Sequence, residues 1–195
     1  MEISKSIKRT KKAFTDAFFD LLNHYSFEKI KLTDIIKESG YSQSTFYKYY
    51  DDKYDFAKKT FFEELHNFSN LIIKIISDNA PVDNEESVYK MHYEIYSYVD
   101  KNQSFFDAVV KEFAPQYTIT LAAEFLHEDL KGKIVINNKK LSDSIEKDFM
   151  YYHIAHELLA TIKYWKSNDS IQTVEDITRL AISAYNSKGY FSLYL

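Results

Sequence analysis

The stretch that organises the chain reads KLTDIIKESGYSQSTFYKYYDDKYDF and covers residues 31–56. Its pattern predicts a short helix over residues 32–39, a break at Gly40, and a second short helix over residues 42–50. Gly40 is one of only 3 glycines in the chain, and it stands where a turn after a helix requires positive φ. Ser42 is expected to cap the second helix by accepting a hydrogen bond from a backbone N–H group.

The second helix has one face suited to a core and another suited to a ligand. Phe46 is expected to anchor the helix inward, because Tyr49 and Tyr50 follow it at helical spacing. Two short helices joined by a glycine-containing turn predict a helix-turn-helix whose second helix enters the major groove of DNA. The residues left to face outward are small, polar or basic: Gln43, Ser44, Thr45, Tyr47 and Lys48.

Composition excludes several other classes of protein. The 195 residues include 3 Gly, 2 Pro and no Cys, which favours long helices and excludes disulfides and thiolate chemistry. The opening residues MEISKSIKRTKK lack the apolar segment of a signal peptide, and no apolar run approaches the roughly 18 residues of a membrane span. We therefore expect an all-α, cytoplasmic protein with no membrane partner.

Charge is distributed unevenly along the chain, although the net charge of −4 is acidic. Residues 1–58 hold 11 Lys/Arg against 9 Asp/Glu, a net of +2, and the remainder is net −6. A basic N-terminal part on an acidic body suits a protein that contacts phosphates at one end. An ordinary solvated face is the alternative interpretation of its densest cluster, which comprises Lys5, Lys8, Arg9, Lys11 and Lys12.

Apolar periodicity predicts further helices on both sides of this motif. A first helix over residues 6–25 carries a stripe of Ile7, Phe14, Ala17, Phe18, Leu21, Leu22 and Tyr25. A long helix over residues 53–77 is expected to connect a DNA-binding domain, residues 1–52, to a regulatory and dimerisation domain, residues 53–195. The remaining helices are expected over residues 85–101, 104–113, 118–130, 142–167 and 173–187, with a break at 78–83 and a loop at 132–140.

The same stretch resembles the DNA-binding domain of TetR/AcrR-type transcriptional regulators. The resemblance is carried by FEKI at 27–30, LTDI at 32–35, GYS at 40–42, TFY at 45–47 and DKYD at 52–55. It is strongest with the dihydroxyacetone kinase regulator-like subgroup, which the C-terminal segments YHIAHELLATIKYWKSND and VEDITRLAISAY also resemble. The implied fold is a three-helix DNA-binding unit, a connecting helix, and a helical body that dimerises through its last two helices and encloses a ligand cavity.

The resemblance also implies roles for individual residues. Gln43, Ser44 and Thr45 occupy positions that reach base edges, and a glutamine can form a bidentate pair with adenine. Tyr47 and Lys53 occupy positions that contact phosphate; a tyrosine that covers the core and an ordinary surface lysine are their alternatives. The family's capping threonine is replaced by Lys31, with Thr33 as a possible cap. The full implied set is Lys31, Thr33, Gln43, Ser44, Thr45, Tyr47, Lys48, Tyr49 and Lys53.

The C-terminal helices carry apolar faces suited to a two-fold dimer, although these faces could instead fill the protomer's own core. The residues assigned to the interface are Leu158, Ile162, Trp165, Ile177, Leu180 and Ala184. A small-molecule effector is implied by the resemblance, with candidate pocket residues Tyr89, Tyr93, Tyr96, Phe106, Phe113 and Tyr117. Ordinary core packing is the alternative for these aromatic residues.

His153 and His156 are weak metal-site candidates, because they share a helix face near Glu157, and His92 or His127 is the candidate for a further ligand. Isolated histidines are more often hydrogen-bonded core or surface residues, so no metal or other cofactor is expected. No phosphate loop, nucleophile elbow or metalloprotease motif occurs, so an enzyme is not expected.

The helix-turn-helix and the family resemblance together imply a dimeric repressor that binds a palindromic operator and is released by an effector. The alternatives are an activator and a helical protein that acts by protein contact alone.

Overall fold

The structure, a computed structural model, describes residues 2–78, 85–133 and 144–186. Within these ranges the regular structure is helical, as predicted for an all-α chain. The predicted break after Asp78 and most of the predicted loop at 132–140 lie outside the described residues. The helices are α1 (Glu2–Leu22), a 3-10 helix (Phe27–Lys29), α2 (Leu32–Ser39), α3 (Gln43–Phe46), α4 (Lys53–Asp78), α5 (Glu85–Lys101), α6 (Gln103–Val110), α7 (Ile119–Leu130), α8 (Ser144–Lys166) and α9 (Val174–Asn186).

Helix α3 is shorter than the predicted range of 42–50. The N–H of Tyr47 still bonds to the Gln43 carbonyl four residues earlier, at 3.1 Å. The N–H of Lys48 and the N–H of Tyr49 instead bond three residues back, at 3.3 and 3.0 Å. The N–H of Tyr50 again bonds four residues back, to the Phe46 carbonyl at 3.1 Å, so α3 ends in a turn of mixed hydrogen-bond spacing.

Phe46 lies at the centre of the unit formed by α1, α2, α3 and the start of α4. Its ring centroid is 5.3 Å from that of Phe14 and 5.4 Å from that of Phe56. Ile7 and Tyr25 are 36% and 56% exposed, so the stripe predicted for α1 is wrong at both ends. The side chains of this unit with 0% exposure are Phe14, Phe18, Ile35, Phe46, Phe56 and Ala57.

Helix α4 extends from this N-terminal unit into the body, by which we mean the rest of α4 and helices α5–α9. There α4 packs on α5 and α7. In the body α7 packs on α8 and α5 packs on α9, while α1 also contacts α6. The buried residues form one continuous core from Phe14 to Ala181. A domain boundary at residue 52 therefore stays a prediction.

The turn after α6 joins the body to the N-terminal unit. Glu112 has φ +50°, the one positive φ of a non-glycine residue among those described. The next residue, Phe113, has its ring centroid 5.8 Å from Phe18, 5.9 Å from Phe27 and 6.2 Å from Phe61. An aromatic side chain of the body thus enters the core that supports α3.

Candidate nucleic-acid interface

The turn between α2 and α3 is fixed by backbone conformation. Gly40 has φ +72°, as predicted, and an added Cβ would meet no atom within 4 Å. Glycine is therefore required at this position by the left-handed conformation and not by lack of space. Tyr41 packs its ring 5.6 Å from Phe14, which ties the turn to α1.

Helix α3 is capped as the sequence predicted. The Ser42 hydroxyl oxygen accepts a hydrogen bond from the N–H of Thr45 at 3.2 Å. The same oxygen lies 2.9 Å from the hydroxyl oxygens of Ser44 and Thr45. Two of the three residues assigned to base edges are thus held at the cap, and the third, Gln43, is exposed at the start of α3.

The outward face of α3 carries most of the residues predicted to contact DNA. Gln43, Ser44 and Lys48 are exposed, and Tyr47 is 50% exposed. Tyr47 rests its ring edge-on against Phe46, with centroids 5.7 Å apart. The fully buried Phe46 anchors α3 in the core and so fixes its orientation.

The ammonium group of Lys53 bonds to the protein's own backbone. Its Nζ donates hydrogen bonds to the carbonyl oxygens of Phe27 at 3.0 Å and Ile30 at 2.9 Å. The same ammonium lies 4.4 Å from the centroid of the Phe27 ring and 5.1 Å from that of Tyr54. A phosphate contact by Lys53 would have to share or replace these interactions.

The first turn of α4 is capped by a carboxylate. Oδ1 of Asp52 accepts hydrogen bonds from the N–H groups of Tyr54 at 2.7 Å and Asp55 at 2.8 Å. These two N–H groups are therefore not available to a phosphate. Their occupation by Asp52 places a negative charge where a nucleic-acid phosphate would approach.

The start of α2 shows which side chain caps this helix, since Lys31 stands where the family has a capping threonine. The helix begins at Leu32, and Oδ2 of Asp34 accepts a hydrogen bond from the Lys31 N–H at 2.9 Å. Asp34 thus takes over the capping function, and Thr33 does not act as a cap. Lys31 and Thr33 are both exposed, whereas Tyr49 is half-buried.

One candidate residue was missed by the sequence analysis. Tyr54 is 52% exposed in the first turn of α4, and its ring lies 5.6 Å from that of Phe27. Its exposed phenol beside Lys53 makes Tyr54 a further candidate for a phosphate contact. Its only sequence signal was its place at a helix start next to a lysine.

The residues assigned to the dimer interface divide into two sets. Leu158, Ile162, Trp165 and Ile177 are buried in the single chain, with exposures of 8, 0, 6 and 1%. They pack within the protomer, which was the alternative interpretation, and offer almost no surface to a second copy. Leu180 is 46% exposed and Ala184 is also exposed, so these two are placed where a partner can reach them.

The six aromatic residues assigned to an effector pocket do not gather around one space. Tyr89 and Tyr93 stack on each other at 6.0 Å, and the Tyr93 hydroxyl donates to Glu175 of α9 at 3.3 Å. Tyr96 packs against Trp165 at 6.1 Å and Phe106 against Phe68 at 5.0 Å. Phe113 and Tyr117 stack at 5.1 Å near α1 and α4.

The histidines have separate partners. Nε2 of His153 lies 3.6 Å from Glu157, while Nδ1 of His156 lies 2.9 Å from the Tyr152 carbonyl oxygen. Nδ1 of His92 lies 2.9 Å from the Val88 carbonyl oxygen, and Nε2 of His127 lies 3.1 Å from Asp148. In the ranges that the structure describes, no three His, Cys, Asp or Glu residues are arranged to hold a metal ion.

No described helix is both long and apolar enough to cross a bilayer. No protein-family profile matches the chain. Among curated proteins, the chain is 25% identical over 169 residues to the HTH-type dhaKLM operon transcriptional activator DhaS of Lactococcus lactis subsp. lactis (strain IL1403), covering 82% of this chain and 80% of that protein.

Solved structures with a similar fold cover nearly the whole chain. A TetR transcriptional regulator from Streptococcus agalactiae 2603V has a TM-score of 0.54 at 19% identity and covers 94% of this chain and 97% of its own. The dihydroxyacetone kinase operon activator DhaS has a TM-score of 0.53 at 18% identity, covering 91% and 96%.

A third similar structure is AlkX, a TetR-family repressor from Dietzia sp. strain DQ12-45-1b implicated in biodegradation of n-alkanes. Its TM-score is 0.52 at 18% identity, and it covers 92% of this chain and 96% of its own. All of these proteins are regulators and none is an enzyme. The predicted resemblance is confirmed, and the chain has the all-α fold of the TetR-type transcriptional regulators.

Proposed function

We propose that this protein is a transcriptional regulator that binds double-stranded DNA through α3. The observation that carries the proposal is the two-sided character of this helix. Phe46 has 0% exposure, while Gln43 on α3, and Tyr47 and Lys48 in the turn that directly follows it, are exposed. A rigidly supported helix with exposed amide, phenol and ammonium groups has the chemistry to read base edges and contact phosphates.

The regulator is proposed to act as a homodimer, since two copies of α3 about 34–36 Å apart would read a palindromic operator. Helix α8 carries an exposed apolar stripe of Ile145, Phe149 and Tyr152, which are 76, 54 and 46% exposed. Leu180 of α9 is exposed to the same degree as Tyr152. We assign these side chains to the interface in place of the four buried residues, because burial against a second copy would remove their apolar surface from water.

A small-molecule effector is proposed to control DNA binding by favouring one arrangement of the body relative to the N-terminal unit. Helix α4 and the α6–α7 turn both join these parts. The relatives include proteins named as activators and one named as a repressor. We retain repression as the proposed mode and activation as its alternative, and a reporter gene placed behind the recovered operator distinguishes them.

The experiment that tests DNA binding is selection of bound sequences from a random DNA pool with the purified full chain at physiological salt. We expect recovery of a palindrome whose half-sites are about one helical turn apart. A folded dimer that recovers no motif, and whose weak DNA affinity does not fall as salt rises, would support the alternative of a protein that acts by protein contact alone.

A further inference from the structure

A cleft of about 660 Å³ lies between α1, α4 and the junction of α5 with α6. It contains none of the six aromatic residues first assigned to an effector. Its apolar floor includes Phe19 and Phe105, which are 3% and 4% exposed with ring centroids 5.3 Å apart. Its walls are largely polar and carry both signs of charge, so its contents would be recognised by charge and hydrogen bonding.

One wall of the cleft holds a carboxylate without a cationic partner. In the part of the chain that the structure describes, Glu64 forms no ion pair: Lys11 pairs with Glu63 at 3.3 Å and Lys12 pairs with Asp16 at 2.7 Å. The Glu64 side chain bonds to that of Asn67, and the Lys12 charge acts on it only from a greater distance. Burial, and then repulsion by Glu63, raises the pKa of the Glu64 carboxyl above its ordinary value. A ligand cation at this position would supply the missing counter-charge.

The surroundings of Glu64 are suited to a protonated amine. The hydroxyl-bearing ring of Tyr98 lines the same cleft and stacks on Phe68 at 5.7 Å, which fixes its position. Burial, and then the nearby Glu64 charge, raises the pKa of Tyr98 to about 12. Tyr98 is therefore neutral at physiological pH, and its hydroxyl can accept a hydrogen bond from an ammonium group.

Two lysines in the cleft provide charge of the opposite sign. Lys8 of α1 and Lys101 at the end of α5 both line the cleft, and neither forms an ion pair with any described residue. Lys101 directly precedes Asn102, whose side chain donates to the Tyr98 carbonyl oxygen at 2.8 Å. Ammonium groups of this kind bind carboxylates through charge-assisted hydrogen bonds.

We propose that this cleft binds a small zwitterion that carries one ammonium and one carboxylate group. The ammonium is bound by Glu64 and Tyr98, and the carboxylate by Lys101, which follows Tyr98 by one turn of α5. Lys8 adds positive charge to the same cleft. Because α1 supplies one wall and α4, α5 and α6 supply the others, the bound molecule bridges the N-terminal unit and the body. Binding itself does not depend on the proposed DNA-binding function, whereas any effect of the zwitterion on DNA affinity does.

The test is thermal unfolding and titration calorimetry of the full chain with the common L-amino acids. Each amino acid is compared with its decarboxylated amine and its N-acetyl derivative, which each lack one charge. We expect at least one amino acid to raise Tm and bind with 1:1 stoichiometry, and both singly charged analogues to bind about tenfold or more weakly. No binding by any amino acid up to millimolar concentration would overturn the proposal.

Variants then locate the site. Glu64→Gln and Lys101→Met should each weaken amino-acid binding about tenfold, while Glu124→Gln and Lys74→Met, at exposed positions outside the cleft, should not change it. Tyr98→Phe, which keeps the stacked ring, gives an independent measurement if Glu64→Gln fails to fold. Unchanged affinity in the folded cleft variants would contradict the assignment. Amino-acid binding without any palindrome in the DNA selection would leave the cleft intact and refute only the proposed regulatory function.

Discussion

The ammonium of Lys53 lies 2.9 Å from the carbonyl oxygen of Ile30, a residue 23 positions earlier in the chain. This contact joins the start of α4 to the segment between α1 and α2. Lys53 also covers the Phe27 ring at 4.4 Å. The residue that the family resemblance assigns to phosphate therefore has a second role, which is to hold the N-terminal unit together.

Lys53→Ala is expected to lower the free energy of unfolding by about 1.5–3 kcal/mol, because it removes charge-assisted hydrogen bonds to two carbonyl groups. DNA affinity should fall equally for all sequences, with no change in its salt dependence. Fluorescence anisotropy across a salt series measures that dependence. Lys48→Ala is the matched variant. Because Lys48 is exposed, the slope of log DNA affinity against log salt concentration should fall in magnitude by about 1 in this variant. An equal fall for Lys53→Ala would favour a direct phosphate contact.

Phe113→Ala is expected to loosen the contact between the body and the N-terminal unit. Its ring packs against Phe18 and Phe27, so its removal should cost on the order of 3 kcal/mol. Hydrogen exchange should increase in α1 and in the 3-10 helix. Phe62→Ala is the control, because Phe62 is also half-buried but packs on Phe125 of the body, at 5.3 Å. Equal exchange patterns in the two variants would contradict a specific coupling by Phe113.

Glu64→Gln is expected to stabilise the unliganded protein at neutral pH. Because burial raises the pKa of Glu64 in the folded state, the stability that its neutral form contributes is present below the unfolded-state pKa. That stability is lost as pH rises through the folded-state pKa. Urea unfolding should therefore show that the free energy of unfolding of Glu64→Gln exceeds that of the wild type by an amount that grows as pH rises from low values and then levels off. Glu124→Gln, at an exposed position outside the cleft, should show no such gain.

Leu180→Glu is expected to weaken self-association, because it places a charge in the proposed apolar interface. Sedimentation velocity should show a shift from dimer to monomer, with the helical content of the chain retained. Ile7→Glu, at an exposed position of α1, should leave the dimer intact. A stable Leu180→Glu dimer would place the interface elsewhere.

The turn between α2 and α3 and the cap of α3 were largely predictable, because the residues that determine them lie close together in the sequence. A left-handed glycine at position 40 and a capping hydroxyl at Ser42 each leave a residue-type signature, and both are found in the structure. The inward direction of Lys53 was not predictable, because its partners are carbonyl groups far away in the chain. Backbone oxygens have no signature in the sequence.

The burial of the α8 residues assigned to the interface was not predictable, for a related reason. Ile145 and Phe149 are exposed, while Leu158 and Ile162 are buried. Apolar residues thus occur on both sides of the helix, and periodicity alone does not distinguish the face that meets the core from the face that meets a partner. Separating them required the packing of α7 against α8.

The most direct test of the central claim is a parallel DNA selection with the wild-type chain and Gln43→Ala. If α3 reads base edges, both proteins should recover the same palindrome, and the variant should lose preference at one symmetry-related base pair in each half-site. An identical preference at every position in the two selections, or no palindrome from the folded wild-type dimer, would contradict sequence reading by α3.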